Sequence, residues 1–470
     1  MIGRVREQEL LMQLADSDES EFVAVYGRRR IGKTYLIRET FEGEFAFHHA
    51  GVAQAGMRQQ LQAFRNSLRE FGHAKCPRLT NWLDAFEELK EVVRKSGAEK
   101  KILFIDEMPW MDTAKSGFVY ALEHFWNGWA SMRRDVLLII CGSATSWIIN
   151  KVIKDKGGLH NRVTEQIALE PFTLRECELY AAERGLGLTR RQIAECYMVF
   201  GGVPFYWRML RKGMSPAQDM DELFFASRGR LRGEFDELYA SLFRNSEPYV
   251  KIVCALGSRS AGLTRDEIAD AAGIENCGRF SHQLEELEQC GFIRRYHAIG
   301  MKTKGALYQL IDNYTLFYFK FVKENVGHDV RFWSSSLDTP VRHAWEGLAF
   351  ERLCLQHVDQ IKRALQIAGI ASSEYSWRGI DPETRKGTQI DLLIDRSDGV
   401  LDLCEMKWTK DPFVMNEQEW SKIQARQRAL KMAGVSSKAV HVILVSAAGL
   451  SRGAWANEVQ NLVTLDDLFC

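Results

Sequence analysis

Eight residues near the start of the chain, Gly27-Arg28-Arg29-Arg30-Ile31-Gly32-Lys33-Thr34, have the spacing GxxxxGK[ST], and each residue type suits a task at a polyphosphate. Gly27 and Gly32 let the backbone curl, so that the amides from Arg28 to Lys33 point inward at phosphate oxygens. Lys33 adds a point charge for the β- and γ-phosphates, and Thr34 offers a hydroxyl to Mg2+. A later apolar run, KILFIDEMPW, ends in Asp106 and Glu107. Asp106 suits the water shell of that magnesium, and Glu107 suits the polarising of an attacking water. A third run, VLLIICGS, ends at Ser143, whose hydroxyl either senses the γ-phosphate or caps the next helix. Arg162, in GLHNRV, is either a finger reaching a neighbouring subunit's nucleotide or a surface arginine.

A second set of chemistry-bearing residues lies toward the other end. QIDLLIDRSDGVLDLCEMKW reads as two strands around the turn Arg396-Ser397-Asp398-Gly399. Alternation puts Glu405 and Lys407 on one face of the second strand, with Met406 facing away. Asp391 is expected to open the first strand, where the hairpin brings its carboxylate across from Glu405. Two carboxylates and the Met406 carbonyl could hold one or two Mg2+ (or Mn2+) ions at a scissile phosphate. Lys407 would then orient or deprotonate the water and offset the charge building on phosphorus. Glu351, on a preceding helix, is a further candidate ligand. The bland alternative is a surface strand with paired charges.

The elements that must hold these residues are legible around them. EFVAVY leads into the glycine loop and YLIRETF leaves it as an amphipathic helix, the strand–loop–helix context a phosphate loop needs. QIALEPF is a plausible fifth strand. From Glu247 the texture changes: PYVKIVCALG, LTRDEIADAAG and CGRFSHQLEELEQCG read as three helices, then FIRRYH and ALYQLID as two strands flanking a basic turn. That pattern predicts a winged helix-turn-helix. Its candidate DNA contacts are Arg279 and His282 on the third helix and Arg294, Arg295, Lys302 and Lys304 on the wing. Glu285, Glu286 and Glu288 on the same helix argue for a lid or protein dock instead.

The N-terminal motifs resemble those of the archaeal-type P-loop ATPases of the AAA+ and STAND assembly. The likeness rests on GRVREQEL, the glycine loop, FIDE, GSATS, GLHNR and GGVPFYW, and spans residues 1 to about 235. It implies that Gly3, Arg4 and Glu7 pack beside the nucleotide base, that Gly202-Val203-Pro204 form a turn in a helical lid, and that the nucleotide is ATP. The Asp391, Glu405, Lys407 segment is similar to the PD-(D/E)xK restriction-endonuclease-like fold, without that family's proline before the aspartate. The expected architecture is therefore α/β: an ATPase core over 1–175, a helical lid over 176–240, a winged helix over 241–328 and a nuclease-like α/β domain over 329–470.

Composition bounds the partners. The 62 basic and 62 acidic residues cancel, which excludes a polybasic coat but not local basic patches. Ten scattered cysteines without a CxxC pair suggest neither a zinc ribbon nor a disulfide framework. No apolar run approaches the ~20 residues of a membrane span, so a cytoplasmic chain is expected. The leading expectation is an ATP-hydrolysing, metal-dependent DNA nuclease that forms homo-oligomers through Arg162. The alternative is an ATP-dependent switch whose C-terminal fold only docks DNA or protein.

Overall fold

A computed structural model describes residues 1–154, 157–159, 161–243, 245–259, 262–296, 306–325, 329–432 and 438–470. The chain divides into two compact units. The first holds Met1–Pro171, Glu237–Ser246 and Glu285–Gly291, and the second holds the remainder.

In the first unit five parallel strands form one sheet: β1 (Glu21–Gly27), β2 (Phe45–Ala50), β3 (Lys101–Asp106), β4 (Val136–Cys141) and β5 (Glu165–Leu169). Their order is β2-β3-β4-β1-β5. A parallel sheet carries helices on both faces, so its strands are apolar on both sides. The alternation divides cleanly. Phe22, Ala24, Leu103, Ile105, Leu138 and Ile140 enter one core, while Val23, Val25, Ile102, Phe104, Leu137 and Ile139 enter the other. Because β4 lies between β1 and β3, the segment following β4 emerges between the glycine loop and the acid pair. Ligands of open α/β sheets bind at these carboxyl ends.

The second unit contains a small antiparallel sheet, β6 (Leu263–Thr264), β7 (Ile293–Tyr296) and β8 (Leu307–Leu310), in the order β6-β8-β7. It accompanies the helices Glu247–Gly257 and Arg265–Ala272 and the start of the helix Gly278–Gln289, as far as Leu284. Thr264 caps the middle helix by accepting from the Glu267 amide, and Gly273 ends it in the left-handed region, as the sequence predicts.

The same unit carries a five-stranded mixed sheet: β9 (Ser372–Ile380), β10 (Gly387–Arg396), β11 (Val400–Lys407), β12 (Ala439–Ser446) and β13 (Asn461–Thr464), in the order β13-β12-β11-β10-β9. β9, β10 and β11 are antiparallel, and β11, β12 and β13 parallel. The helix Glu417–Met432 closes one core through Ala429 and Leu430 over Leu393, Leu401 and Leu403. The helix that starts at Pro340 stops at Leu355, and a second starts at Val358. At the break, the buried His357 is held at Nδ1 by the Leu353 carbonyl, 2.8 Å, and at Nε2 by the Leu174 amide, 3.0 Å.

Candidate functional site

The glycine loop is built by close approach. Gly27 has φ +137°, and a Cβ there would lie 2.4 Å from the Leu169 carbonyl oxygen of β5. Gly32 has φ +94° and begins the helix Lys33–Thr40. Lys33 is buried (5% exposed), and its Nζ donates to the carbonyls of Gly27 (2.8 Å) and Arg28 (2.9 Å). Burial pushes its ammonium below the ordinary lysine range, with the Cys141, Glu107 and Asp106 charges opposing that fall. A buried ammonium hydrogen-bonded to carbonyls, with no carboxylate in contact, is an environment a phosphate would improve.

The acid pair meets the loop. Thr34 Oγ1 donates to Asp106 Oδ2 at 2.8 Å, and Asp106 Oδ1 accepts from the Glu107 amide at 2.8 Å and from Cys141 Sγ at 3.0 Å. Thr34 and Asp106 thus supply the hydroxyl and carboxylate that suit Mg2+ with its waters. Glu107 has φ +46°, a left-handed backbone for a non-glycine residue, the kind of strain that accumulates at working sites. Ser143 does not cap the next helix. Its hydroxyl donates to Glu107 Oε1 at 2.5 Å and its amide to Oε2 at 3.2 Å. Sequence alone leaves both roles open, because strand order is what brings Ser143 to Glu107. Arg4 is buried and donates to the Glu170 carbonyl at 2.6 Å. Arg162 is exposed in the turn before β5.

In the second unit, Gly202 explains the Gly-Val-Pro turn: a Cβ there would fall 1.8 Å from the Phe172 carbonyl oxygen. Pro204 then starts the helix Pro204–Trp207.

Asp391 does not open its strand. β10 begins at Gly387 and also pairs with β9, a strand not evident in the sequence, and its register shifts between Ile390 and Leu393. Leu392 pairs with Cys404, and continuing that register by one residue sets Asp391 opposite Glu405. Gln389 Nε2 donates to Asp391 Oδ1 at 2.7 Å, and Ser376 Oγ donates to the Asp391 carbonyl at 2.6 Å. Glu405 is engaged by Lys407 Nζ at 2.9 Å and by Arg426 Nη1 at 2.8 Å. Lys407 also meets Glu419 at 3.0 Å. Met406 is buried on the opposite face and pairs with Val445 of β12. Glu351 lies among these charges: burial, then the Asp391 carboxylate, pushes its carboxyl up to about 8.

The carboxylates do not gather as a ready cage. Among the described residues, the trio of metal-binding types whose ligand atoms all lie within 4.8 Å of one another is His73, Cys76 and Glu88 in the first unit, not Glu351, Asp391 and Glu405. Glu419, Gln389 and Ser376 escape sequence reading, since their only signal is a polar residue near the hairpin or on the following helix.

Arg279 and His282 are exposed on their helix, and so is Arg295 on β7. Arg294 is half-buried, donating from Nε to Gln309 (2.7 Å) and from Nη2 to Ser376 (3.1 Å). Lys302 and Lys304 lie outside the described residues.

Loop, acid pair and strand order together have the arrangement of a P-loop ATPase fold. Residues 2–210 match the model of an ATPase domain predominantly from Archaea. A Walker-type ATPase of Pyrococcus abyssi shares the fold, at 19% identity and a TM-score of 0.50, over 67% of this chain and 95% of that one. The ORC2 protein of Aeropyrum pernix aligns at 12% identity and a TM-score of 0.43, over 76% of this chain and 96% of that one. An uncharacterized protein of Methanocaldococcus jannaschii is 24% identical over 415 residues, 87% of each chain. No helix among the described residues is long and apolar enough to cross a membrane.

Proposed function

We propose that the chain binds and hydrolyses ATP, and that its C-terminal module is a Mg2+- or Mn2+-dependent DNA nuclease engaged under control of the nucleotide. The hydrolytic half is supported by the contact of Thr34 with Asp106 beside a buried Lys33. Thr34 and Asp106 are the residues that would hold a magnesium ion, which would supply charge stabilisation to the phosphates. Lys33 takes up a phosphate in exchange for its loop carbonyls. Glu107, released from Ser143, aligns the water and accepts its proton. Arg162 is the group that a neighbouring subunit's nucleotide would meet, which makes the working state a homo-oligomer.

The nuclease half is carried by one observation: the β10–β11 hairpin sets Asp391 opposite Glu405, Lys407 meets Glu405 at 2.9 Å, and both carboxylates add to the rise that burial imposes on the Glu351 carboxyl. Lys407, with Glu405 and Glu419 on either side, would hold the water and stabilise the phosphorane, while Asp391 and Glu405 hold the ion. The three helices and small sheet, read as a winged helix, would present Arg279 and His282 to duplex DNA.

The engagement of Glu405 by both Lys407 and Arg426 favours a second reading, a switch in which the C-terminal fold cuts nothing and only docks DNA or protein. One assay separates the two. Plasmid and linear duplex are incubated with Mg2+ or Mn2+ and ATP, using the wild type, Lys407→Ala and Lys33→Ala. The nuclease reading expects cutting that Lys407→Ala abolishes; DNA intact under every condition removes it. For the ATPase, Lys33→Ala and Glu107→Gln are each expected to lower phosphate release by about 100-fold or more, with Glu107→Gln still binding ATP. Loss of nucleotide binding in Glu107→Gln would contradict the role given to it.

A further inference from the structure

A cavity of about 350 Å3 in the second unit is lined by Arg294, Arg295 and Tyr296 of β7, Glu374 and Ser376 of β9, Asp391 of β10, and Gln356 and Asp359, so that its two arginines face three carboxylates. Two features of its lining need a reason. First, Arg294 is a half-buried guanidinium beside the exposed Arg295 on the same strand, Ile-Arg-Arg-Tyr. Burial lowers its pKa to about 10, with the Arg352 charge adding to the fall. It donates hydrogen bonds to the neutral Gln309 and Ser376, and its Cζ lies 5.1 Å from the centre of the Tyr296 ring. A half-buried cation hydrogen-bonded to neutral groups gains more from an anion than a surface cation does. Second, Ser376 accepts from Arg294 and donates to the Asp391 carbonyl. The arginine is therefore tied through one side chain to the irregular part of β10 that carries a candidate metal ligand.

We propose that this cavity is the seat of the nucleic-acid phosphate beside the scissile bond, and that Arg294, with Arg295 at the rim, grips it. This rests on the nuclease reading above and deepens it: the small sheet is not a separate DNA-tethering module but supplies one wall of the cleavage site. The planar fork of Arg294 matches phosphate geometry in a way that a lysine would not. The Asp391 and Glu405 carboxylates would repel an isolated phosphodiester, so a divalent cation and the arginine are both required for it to enter.

The test is duplex binding by the full-length protein, followed by fluorescence anisotropy of a labelled DNA duplex in Ca2+ over a range of salt. The variants are Arg294→Gln, Arg294→Lys and Arg295→Glu, with folding checked by thermal melting. Arg294→Gln and Arg295→Glu are expected to bind about tenfold more weakly or worse, and the salt dependence to lose about one phosphate contact. Arg294→Lys should restore part of the affinity. Wild-type affinity and salt slope in Arg295→Glu and in folded Arg294→Gln overturn the proposal; if Arg294→Gln does not fold, Arg295→Glu decides. Cleavage in Mg2+, run alongside, separates the two claims. Cutting that is normal in Arg294→Gln keeps the nuclease and rejects the cavity. Binding that the variants lose, beside a wild type that binds but never cuts, keeps the cavity as a DNA site and rejects the nuclease.

Discussion

At the residue scale, two carboxylates are held in states that chemistry must undo. Glu107 receives both the hydroxyl and the amide of Ser143 while its backbone sits in the left-handed region. A water can be aligned only after at least one of those bonds is exchanged. Ser143→Ala should therefore change the turnover number and leave ATP affinity near the wild-type value, as read by phosphate release beside nucleotide titration. An equal loss in both would show that Ser143 shapes the pocket rather than Glu107. Glu351 gives a pH signature. Its folded pKa of about 8 lies above the ordinary 4.5, so the native state holds a proton that the unfolded chain has released. The stability this confers is whole below pH 4.5 and is lost as pH rises through 8. In EDTA the melting temperature should decline between pH 5 and 8, and Glu351→Gln should flatten that decline. A Glu351→Gln profile parallel to the wild type would remove Glu351 as its source.

At the scale of elements, local chemistry was readable and pairing was not. The glycine loop announces itself because strand, loop and helix are contiguous, and the hairpin of β10 and β11 does so through its two-residue period and its Ser397-Asp398-Gly399 turn. By contrast β9, Arg426 and Glu419 reach the candidate site from a distance in sequence, and no local pattern marks which strand β10 will choose. The face of β7 is a similar case: FIRRYH shows two adjacent arginines, but only the packing of Ser376 and Gln309 decides which one is half-buried. The Gly202 turn is the sharpest steric constraint. A methyl group 1.8 Å from the Phe172 carbonyl cannot be accommodated without moving backbone, and Gly202→Ala is expected to destabilise the chain by about 1–3 kcal/mol. Chemical denaturation measures it; an unchanged midpoint would mean that the turn is free to open.

For the whole molecule, the question is whether the two chemistries are linked. If nucleotide controls cutting, Lys33→Ala should depress DNA cleavage by about tenfold or more, while Lys407→Ala leaves ATP turnover intact. Equal cutting by Lys33→Ala and wild type would make the ATPase and the nuclease independent passengers on one chain. The approach of Gly27 to the Leu169 carbonyl bears on how such a signal would begin. The phosphate loop leans directly on the edge strand, and the turn entering that strand carries Arg162. A neighbour pulling on that arginine would act on the floor under the nucleotide along the whole length of β5, making assembly itself a mechanical input to hydrolysis.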